Sequence, residues 1–235
     1  MTPHPSSPGA ARRAAGLLMG VALAAALAAC GSRPPVPDWQ INAQGAALRA
    51  TEAYLSGQTR VERLEWERAR AEVARTGRPD LLARLELMRC AAQGASLALQ
   101  PPVCEGFEAL RADAAAPERA YAAYLAGRAG PAEAVLLPEA HRAVLAAGAD
   151  PGTAVAAIAD PLARMVAAGA LLQAGRAGPA VMAQAVDTAS AQGWRRPLLA
   201  WLLVQAQRAE QAGDADEAAR LRRRMAVVEG GGPRP

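Results

Sequence analysis

The sequence of 235 residues predicts an all-α fold, and three features carry that prediction. Apolar residues make up 52% of the chain but aromatic residues only 3%, so the core must be built from small aliphatic side chains, among which alanine is the strongest helix former. Glycine and proline recur at intervals typical of helix ends and helix starts. No run of alternating β-branched residues indicates a strand.

The positions of glycine, proline and capping residues predict the helix boundaries. Asp160 before Pro161 is a typical start, because proline at the first helical position loses no hydrogen bond. Thr59 to Glu62 and Asp214 to Glu217 have capping-box spacing. About ten to twelve helices are predicted. Their spans are 39–56, 60–76, 80–99, 104–115, 117–126, 131–136, 138–147, 152–159, 161–174, 179–192, 197–212 and 215–228. Residues 230–235 are predicted to be a disordered tail.

A short motif repeats between the predicted helices. AGRAGPA occurs at 126–132 and again at 174–180, and related segments begin at Ser56 and Ala212. Each lies between two helical patterns, so each is predicted to be the turn of a helical hairpin. The last three motifs place an alanine five residues after the glycine, at Ala132, Ala180 and Ala218. Such a small residue is expected to let the second helix pack tightly on the first.

These glycine turns and small residues resemble tetratricopeptide-type repeats, most closely over residues 161–228. The spacings of 70, 48 and 38 residues between the turn glycines differ from a constant 34, and the aromatic and proline positions of the full motif are incomplete. The resemblance implies an antiparallel helix-hairpin array, a tetratricopeptide-like α-solenoid, over residues 39–229. A chance match in an alanine- and glycine-rich sequence is the alternative.

The most apolar stretch of the chain ends at a cysteine. Ala14 to Ala29 is a 16-residue apolar run preceded by Arg12 and Arg13, which is shorter than the roughly 20 residues of a membrane-spanning helix. A short apolar run after basic residues is typical of an export signal.

The sequence Leu27-Ala28-Ala29-Cys30 resembles the lipobox of bacterial lipoproteins. The resemblance implies removal of residues 1–29, attachment of diacylglycerol to the Cys30 thiol and acylation of the new amino terminus. Gly31 in place of aspartate favours the outer membrane. An ordinary signal peptide and an uncleaved anchor are the alternatives. Residues 30–38 then form a proline-rich tether.

Cys90 and Cys104 remain after Cys30. In an oxidising compartment such a pair indicates a disulfide. Pro101 and Pro102 lie inside the loop that it closes, so we expect one helix to end near Leu99 and the next to start near Cys104. A redox-active site is disfavoured because the C-x-x-C spacing is missing.

Candidate catalytic groups are few. His141 is predicted to be a surface or half-buried structural residue, because Glu139 lies on another helix face. The carboxylate pairs Glu62/Glu65 and Glu105/Glu108 are expected on solvated helix faces. No catalytic residue, metal site or cofactor site is predicted. Removal of Arg12 and Arg13 lowers the net charge from +4 to +2, which is too weak a bias to indicate nucleic acid binding.

Trp194, Arg195, Arg196 and Trp201 form the densest cluster of aromatic and basic residues. For Trp194 the favoured interpretation is a tryptophan that closes one end of the core, and an exposed anchor for a partner is the alternative that makes the cluster a candidate partner contact. Four arginines in Arg220 to Met225 complement the dipole of the last helix, with contact to an anionic lipid or polymer as the alternative. Tyr121 and Tyr124 are expected in the core.

These features predict an outer-membrane lipoprotein with its body in the periplasm. The membrane is contacted through the lipid on Cys30, and the body is expected to be a non-catalytic scaffold or accessory factor for an envelope protein. A peptidoglycan-acting enzyme or enzyme activator is the alternative, and a purely structural or surface-exposed lipoprotein is the third possibility. The sequence indicates neither the partner nor the oligomeric state.

Overall fold

The computed structural model describes residues 35–99, 103–148 and 150–230, and every regular element in them is a helix. The α-helices α1 to α11 are, in order, Asp38–Leu55, Thr59–Ala74, Pro79–Ala95, Glu105–Glu108, Ala116–Leu125, Glu139–Ala146, Gly152–Ala156, Pro161–Gln173, Pro179–Gln192, Arg195–Gln211 and Ala215–Gly230. Two 3-10 helices span Arg111–Asp113 and Pro131–Leu136. The all-α prediction is confirmed. The signal, the lipobox with Cys30, Gly31 and residues 231–235 lie outside the described residues.

Helix starts agree with the predicted caps in two of three places. Asp160 accepts a hydrogen bond from the amide of Ala163 at 2.6 Å. Asp214 accepts from the amide of Glu217 at 3.0 Å, although the Glu217 carboxylate binds Arg220 instead of returning to the cap. The prediction for Thr59 is wrong: it is the first residue of α2 and makes no cap bond.

The region around the second and third cysteines differs most from its predicted spans. Helix α3 ends at Ala95, four residues before Leu99. The reason is Leu97, which adopts a left-handed φ of 57° while its amide and that of Ala98 bond back to carbonyls at the end of α3, a helix-terminating arrangement. The predicted helix 104–115 is divided into the four-residue α4 and a 3-10 turn.

Helix α3 lies at the centre of the body and contacts α1, α2, α5 and α8. The larger core cluster includes Trp201, Phe107 and Met165, all fully buried. A smaller cluster among α1, α2 and α3 consists mainly of alanines with Trp66. A glycine lets α3 and α8 approach closely, since a Cβ added to Gly169 would lie 2.9 Å from the carbonyl carbon of Gly94.

The alanines of the repeat motif do not share one environment. Ala218 is 5% exposed and packs as predicted. Ala132 and Ala180 are exposed, so the predicted role in helix packing is wrong for both. They occupy the second position of their helices, directly after Pro131 and Pro179, where the side chain has not yet turned toward the neighbouring helix.

Distant parts of the chain are joined by hydrogen bonds. Trp201 at the centre of α10 donates through its indole nitrogen to the carbonyl of Ala95 at 3.0 Å. Trp194 donates to the carboxylate of Glu52 at 3.0 Å. Neighbouring helices do pack in pairs, with α1 on α2 and α10 on α11. The distant contacts nevertheless differ from an α-solenoid, in which each repeat contacts only its neighbours.

Candidate partner-binding surfaces

The predicted contact cluster lies mostly inside the body. Trp194 is 7% exposed and Trp201 is fully buried, so the structure contains the favoured arrangement, a tryptophan closing the core, and the alternative of an exposed tryptophan anchor is wrong. Both indole nitrogens are bonded within the fold. Burial results from their position at the start and middle of α10, where α10 meets α1 and α3.

The two arginines of the cluster are half-buried and hold other elements in place. Arg195 donates to the carbonyls of Val228 and Glu229, both at 3.2 Å, and so binds the end of α11. Arg196 donates to the Thr59 hydroxyl at 3.1 Å and lies 4.1 Å from the centre of the Tyr54 ring. Burial raises the pKa of Tyr54, and the nearby Arg196 opposes that rise. A partner role for Arg195 and Arg196 stays a prediction.

Cys90 and Cys104 form a disulfide with a Cα–Cα distance of 5.6 Å. Both residues are buried. The bond ties α3 to the start of α4, as the sequence predicts, although the helix before the loop is shorter than expected. In the chain-entropy model a closed loop of about 15 residues contributes roughly 3 kcal/mol.

A polar cavity of about 350 Å³ lies beside the disulfide, lined in part by Glu86, Arg89 and Glu105. Glu86 is only 5% exposed and forms an ion pair with Arg70. Its carboxyl group lies against the backbone of α4, because a Cβ at Gly106 would be 2.8 Å from the Glu86 Cδ. Glu86 is buried while the Arg70 side chain is 49% exposed, which is the arrangement of a structural ion pair at the edge of the core.

Both carboxylate pairs singled out from the sequence, Glu62/Glu65 and Glu105/Glu108, include a member engaged in ion pairs. Glu65 binds Arg49 at 2.8 Å and Arg68 at 2.7 Å, and these contacts lower its pKa, with the Arg49 hydrogen bond contributing most. Glu108 binds Arg111 at 2.6 Å with the same effect on its pKa. Glu108 is exposed as predicted, whereas the Glu65 side chain is only 14% exposed because the two arginines cover it.

His141 is more buried than the sequence predicts. It is 3% exposed and packs against the rings of both Tyr121 and Tyr124, whose centres are 5.8 and 5.0 Å from its own and 6.2 Å from each other. The Tyr124 hydroxyl is 3.3 Å from Nδ1 of His141 and can donate to the neutral ring. Burial lowers the pKa of His141 to about 4, partly opposed by Asp160, and raises the pKa of both tyrosines.

Sequence reasoning missed a groove of about 710 Å³ among α9, α10 and α11. Met182, Val186 and Leu221 line it but are only 4%, 2% and 1% exposed, so its accessible apolar surface comes mainly from Ala183, Ala209 and Ala212. Asp187 on α9 and Arg224 on α11 lie at its walls, and neither has an ion-pair partner among the described residues. We name this surface the C-terminal groove. The i, i+4 spacing of Met182 and Val186 was its only sequence signal.

A second apolar surface consists of two adjoining cavities of about 420 and 350 Å³ that share Arg84 and Met88. The first begins at Trp39 on α1, and the second reaches Leu136 on the 3-10 helix. Arg84 is held at their boundary by an ion pair with Glu118 at 2.5 Å.

Comparisons with known proteins give no relative: no family model, curated protein or solved structure matches this chain. Within residues 35–99, 103–148 and 150–230, no helix combines the length and hydropathy needed to cross a bilayer. The same residues contain no group of three or more ligating side chains arranged to hold a metal ion.

Proposed function

We propose that this chain is an outer-membrane lipoprotein whose helical body binds another envelope protein in the periplasm, without catalysis of its own. The lipobox-like sequence that ends at Cys30 supports the anchor. The observation that carries the binding role is the C-terminal groove, which combines an apolar floor with charged walls. The body itself supplies a rigid frame, and the anchor would raise the local concentration of the protein near its partner.

The groove lies among three packed helices. Helices α9 and α11 both pack on α10, and the groove is lined by all three. A helix with its side chains is about 10 Å across, and an amphipathic helix buries its apolar face in such a groove through residues three and four apart. The partner segment is therefore proposed to be an amphipathic helix.

The walls define the charges of that partner. Arg224 on α11 favours an acidic residue on one edge of the bound helix, and Asp187 on α9 favours a basic residue on the other edge. This arrangement also accommodates the hairpin-array interpretation, since α8–α9 and α10–α11 supply two successive helical pairs. Arg220 contributes less, because Glu217 already binds it at 2.5 Å.

Two measurements test the proposal. Mass spectrometry of the mature amino terminus is expected to find acyl mass on Cys30, and absence of that mass overturns the anchor. A photo-crosslinking residue at Gln205, which lines the groove, is expected to capture one defined envelope protein through a helical segment. The matched control is Gln207, exposed on the same helix and outside the groove lining.

Arg224→Glu sharpens the crosslinking test. The variant is expected to reduce the yield from Gln205, because it places a like charge against the proposed acidic edge. Equal yields from Gln205 and Gln207, or no effect of Arg224→Glu, would show that the C-terminal groove is not the binding surface.

A further inference from the structure

The first helical hairpin carries an exposed apolar stripe that the groove does not explain. Ile41 and Leu48 on α1 are 56% and 57% exposed, and Val61 and Leu64 on α2 are 43% and 49% exposed. We name these four residues the apolar stripe. They are four of the ten large hydrophobic residues that are exposed in the described part of the chain, so exposed hydrophobic side chains are concentrated on this hairpin.

The stripe is continuous across the two helices. Ile41 and Leu48 are seven residues apart and so lie on one side of α1, two turns from each other. Arg49 binds Glu65 at 2.8 Å and joins α1 to α2. Leu48 and Leu64 directly precede these two bonded residues, and both are exposed, which places the halves of the stripe next to each other.

Basic groups flank the stripe. Arg60 and Arg63 on α2 are exposed, and neither has an ion-pair or hydrogen-bond partner within residues 35–99, 103–148 and 150–230. Arg68 is also 60% exposed, although Glu65 binds it. Leucine, isoleucine and valine next to free guanidinium groups form the combination by which a surface helix rests on an anionic bilayer.

The position of the hairpin in the chain indicates what covers it. Helix α1 begins eight residues after Cys30, so the linking segment spans at most about 28 Å when fully extended. The hairpin is thus the part of the described body that lies nearest the proposed anchor along the chain, and a lipid surface is within its reach.

We infer that the apolar stripe rests on the surface of an anionic lipid bilayer, with its aliphatic side chains at the headgroup–acyl boundary and Arg60 and Arg63 on lipid phosphates. The inference rests on the proposed function for the anchor that holds the body at the bilayer. The apolar stripe would be a second contact with the bilayer, in addition to the lipid on Cys30. Two contacts would determine which side of the body faces the lipid and which side is free for a partner.

The main test uses the acylated protein as isolated, reconstituted into vesicles of phosphatidylethanolamine and phosphatidylglycerol. A nitroxide-bearing unnatural residue is placed at Leu48 or Leu64, with Leu203 as the matched control because it is 40% exposed on α10. On vesicles the labels at Leu48 and Leu64 are expected to lose most of their collisions with an aqueous nickel chelate while collisions with oxygen increase. The label at Leu203 is expected to stay unchanged.

A second measurement needs no label. In the mature chain carrying Cys30→Ser, the double substitution Leu48→Ser and Leu64→Ser is expected to lower binding to the same vesicles about tenfold, as two half-exposed leucines lose their apolar contact. The control Leu203→Ser is expected to leave binding unchanged. Circular dichroism of each variant verifies that the helices are retained.

The outcomes separate the inference from the proposed function. Full chelate access at Leu48 and Leu64 on vesicles overturns the inference, even when acyl mass is found on Cys30. Shielding that occurs only in whole envelopes, and not on pure lipid, overturns it in favour of a protein contact. Shielding on vesicles without acyl mass on Cys30 supports the stripe and removes the proposed anchor.

Discussion

The heptapeptide AGRAGPA occurs twice, at 126–132 and 174–180, and forms the same turn in both places. Gly127 and Gly175 each have a φ of +69°. In each copy the glycine amide bonds to the carbonyl three residues earlier and the arginine amide to the carbonyl five residues earlier, over 2.8–3.0 Å. Identical local sequence therefore gives identical local structure, as expected for a glycine-terminated helix.

The two copies differ in the helix to which each one leads. The first leads into a 3-10 helix of six residues, Pro131–Leu136, and the second into the 14-residue α9. Pro138 accounts for the difference, because the residue before a proline avoids the helical region and Leu137 has an extended ψ of 155°. The turn is thus set by the motif, whereas the length of the next helix is set by residues outside it.

The largest expected loss of stability comes from replacing the two turn glycines, because their surroundings differ. A Cβ at Gly127 would lie 2.6 Å from the carbonyl carbon of Gln173, whereas nothing lies within 4 Å of a Cβ at Gly175. Both alanine substitutions strain a left-handed backbone, at about 1–2 kcal/mol. Gly127→Ala also forces a backbone shift, so its total cost is expected to be about 3–4 kcal/mol. Urea unfolding of Gly127→Ala and Gly175→Ala measures the two losses, and equal losses would contradict the comparison.

The next largest effect is a loss of stability at acid pH, and it arises beside α5, the helix that leads into the first copy. Tyr124 on that helix contacts His141, whose pKa burial lowers to about 4 from an ordinary value of about 6.5. Between these two pKa values His141 is protonated in the unfolded chain but neutral in the folded chain. The free energy of unfolding therefore falls as the pH drops below about 6.5. The expected loss is about 2 kcal/mol by pH 5 and about 3 kcal/mol by pH 4.

His141→Phe is the control for this acid sensitivity. The variant is expected to lose the decrease between pH 6.5 and 5, whatever its stability at neutral pH. The ion-paired carboxylates Glu65, Asp80, Glu108 and Glu217 have lowered pKa values. Their contributions are lost as the pH falls from the ordinary carboxyl pKa values, about 4 to 4.5, toward the lowered ones, which is outside the interval from pH 7 to pH 5 in which the two chains are compared. Denaturant unfolding at pH 7, 6 and 5 measures the difference, and parallel curves for both chains would refute it.

The smallest expected loss of stability comes from replacing the arginines that directly follow the two glycines. Arg176 in the second copy donates to the carbonyls of Ala147 and Gly148, the latter at 2.8 Å. Arg128 in the first copy is exposed, and its side chain makes no hydrogen bond within the part of the chain that the structure describes. Arg176→Ala is expected to cost about 1–2 kcal/mol and Arg128→Ala under about 0.5 kcal/mol. Thermal unfolding of both variants checks this order, which a larger loss for Arg128→Ala would reverse.

Much of the fold is determined by local chemistry. Asp160 before Pro161 and the turn glycines mark helix ends to within a few residues, because caps and left-handed residues act over one turn. Such local rules fail at Leu97, a non-glycine residue with positive φ, which no composition rule places there. They also fail at Thr59, whose hydroxyl is bound by Arg196 from a helix 137 positions away.

The candidate binding surfaces were less predictable than the helix ends, because they depend on contacts between residues far apart in the sequence. The disulfide between Cys90 and Cys104 is a local pairing, and the sequence predicts it. The burial of Trp194, Trp201 and His141 depends on which distant helices meet them, and that information is not local. The C-terminal groove arises from the packing of three helices around one another, so it has no counterpart in the repeated turn motif of this region.

The bonds from Trp194 to Glu52 and from Trp201 to Ala95 span 142 and 106 positions in the chain, and this affects how the protein folds. Repeat arrays fold from any point and grow by neighbour contacts, whereas contacts of such long sequence separation slow folding because large loops must close first. Helix α1 at the start of the body therefore gains its contact with α10 only after most of the chain has been synthesised. A chain shortened at its carboxyl end is thus expected to lose cooperativity in the whole body, instead of shedding one dispensable unit.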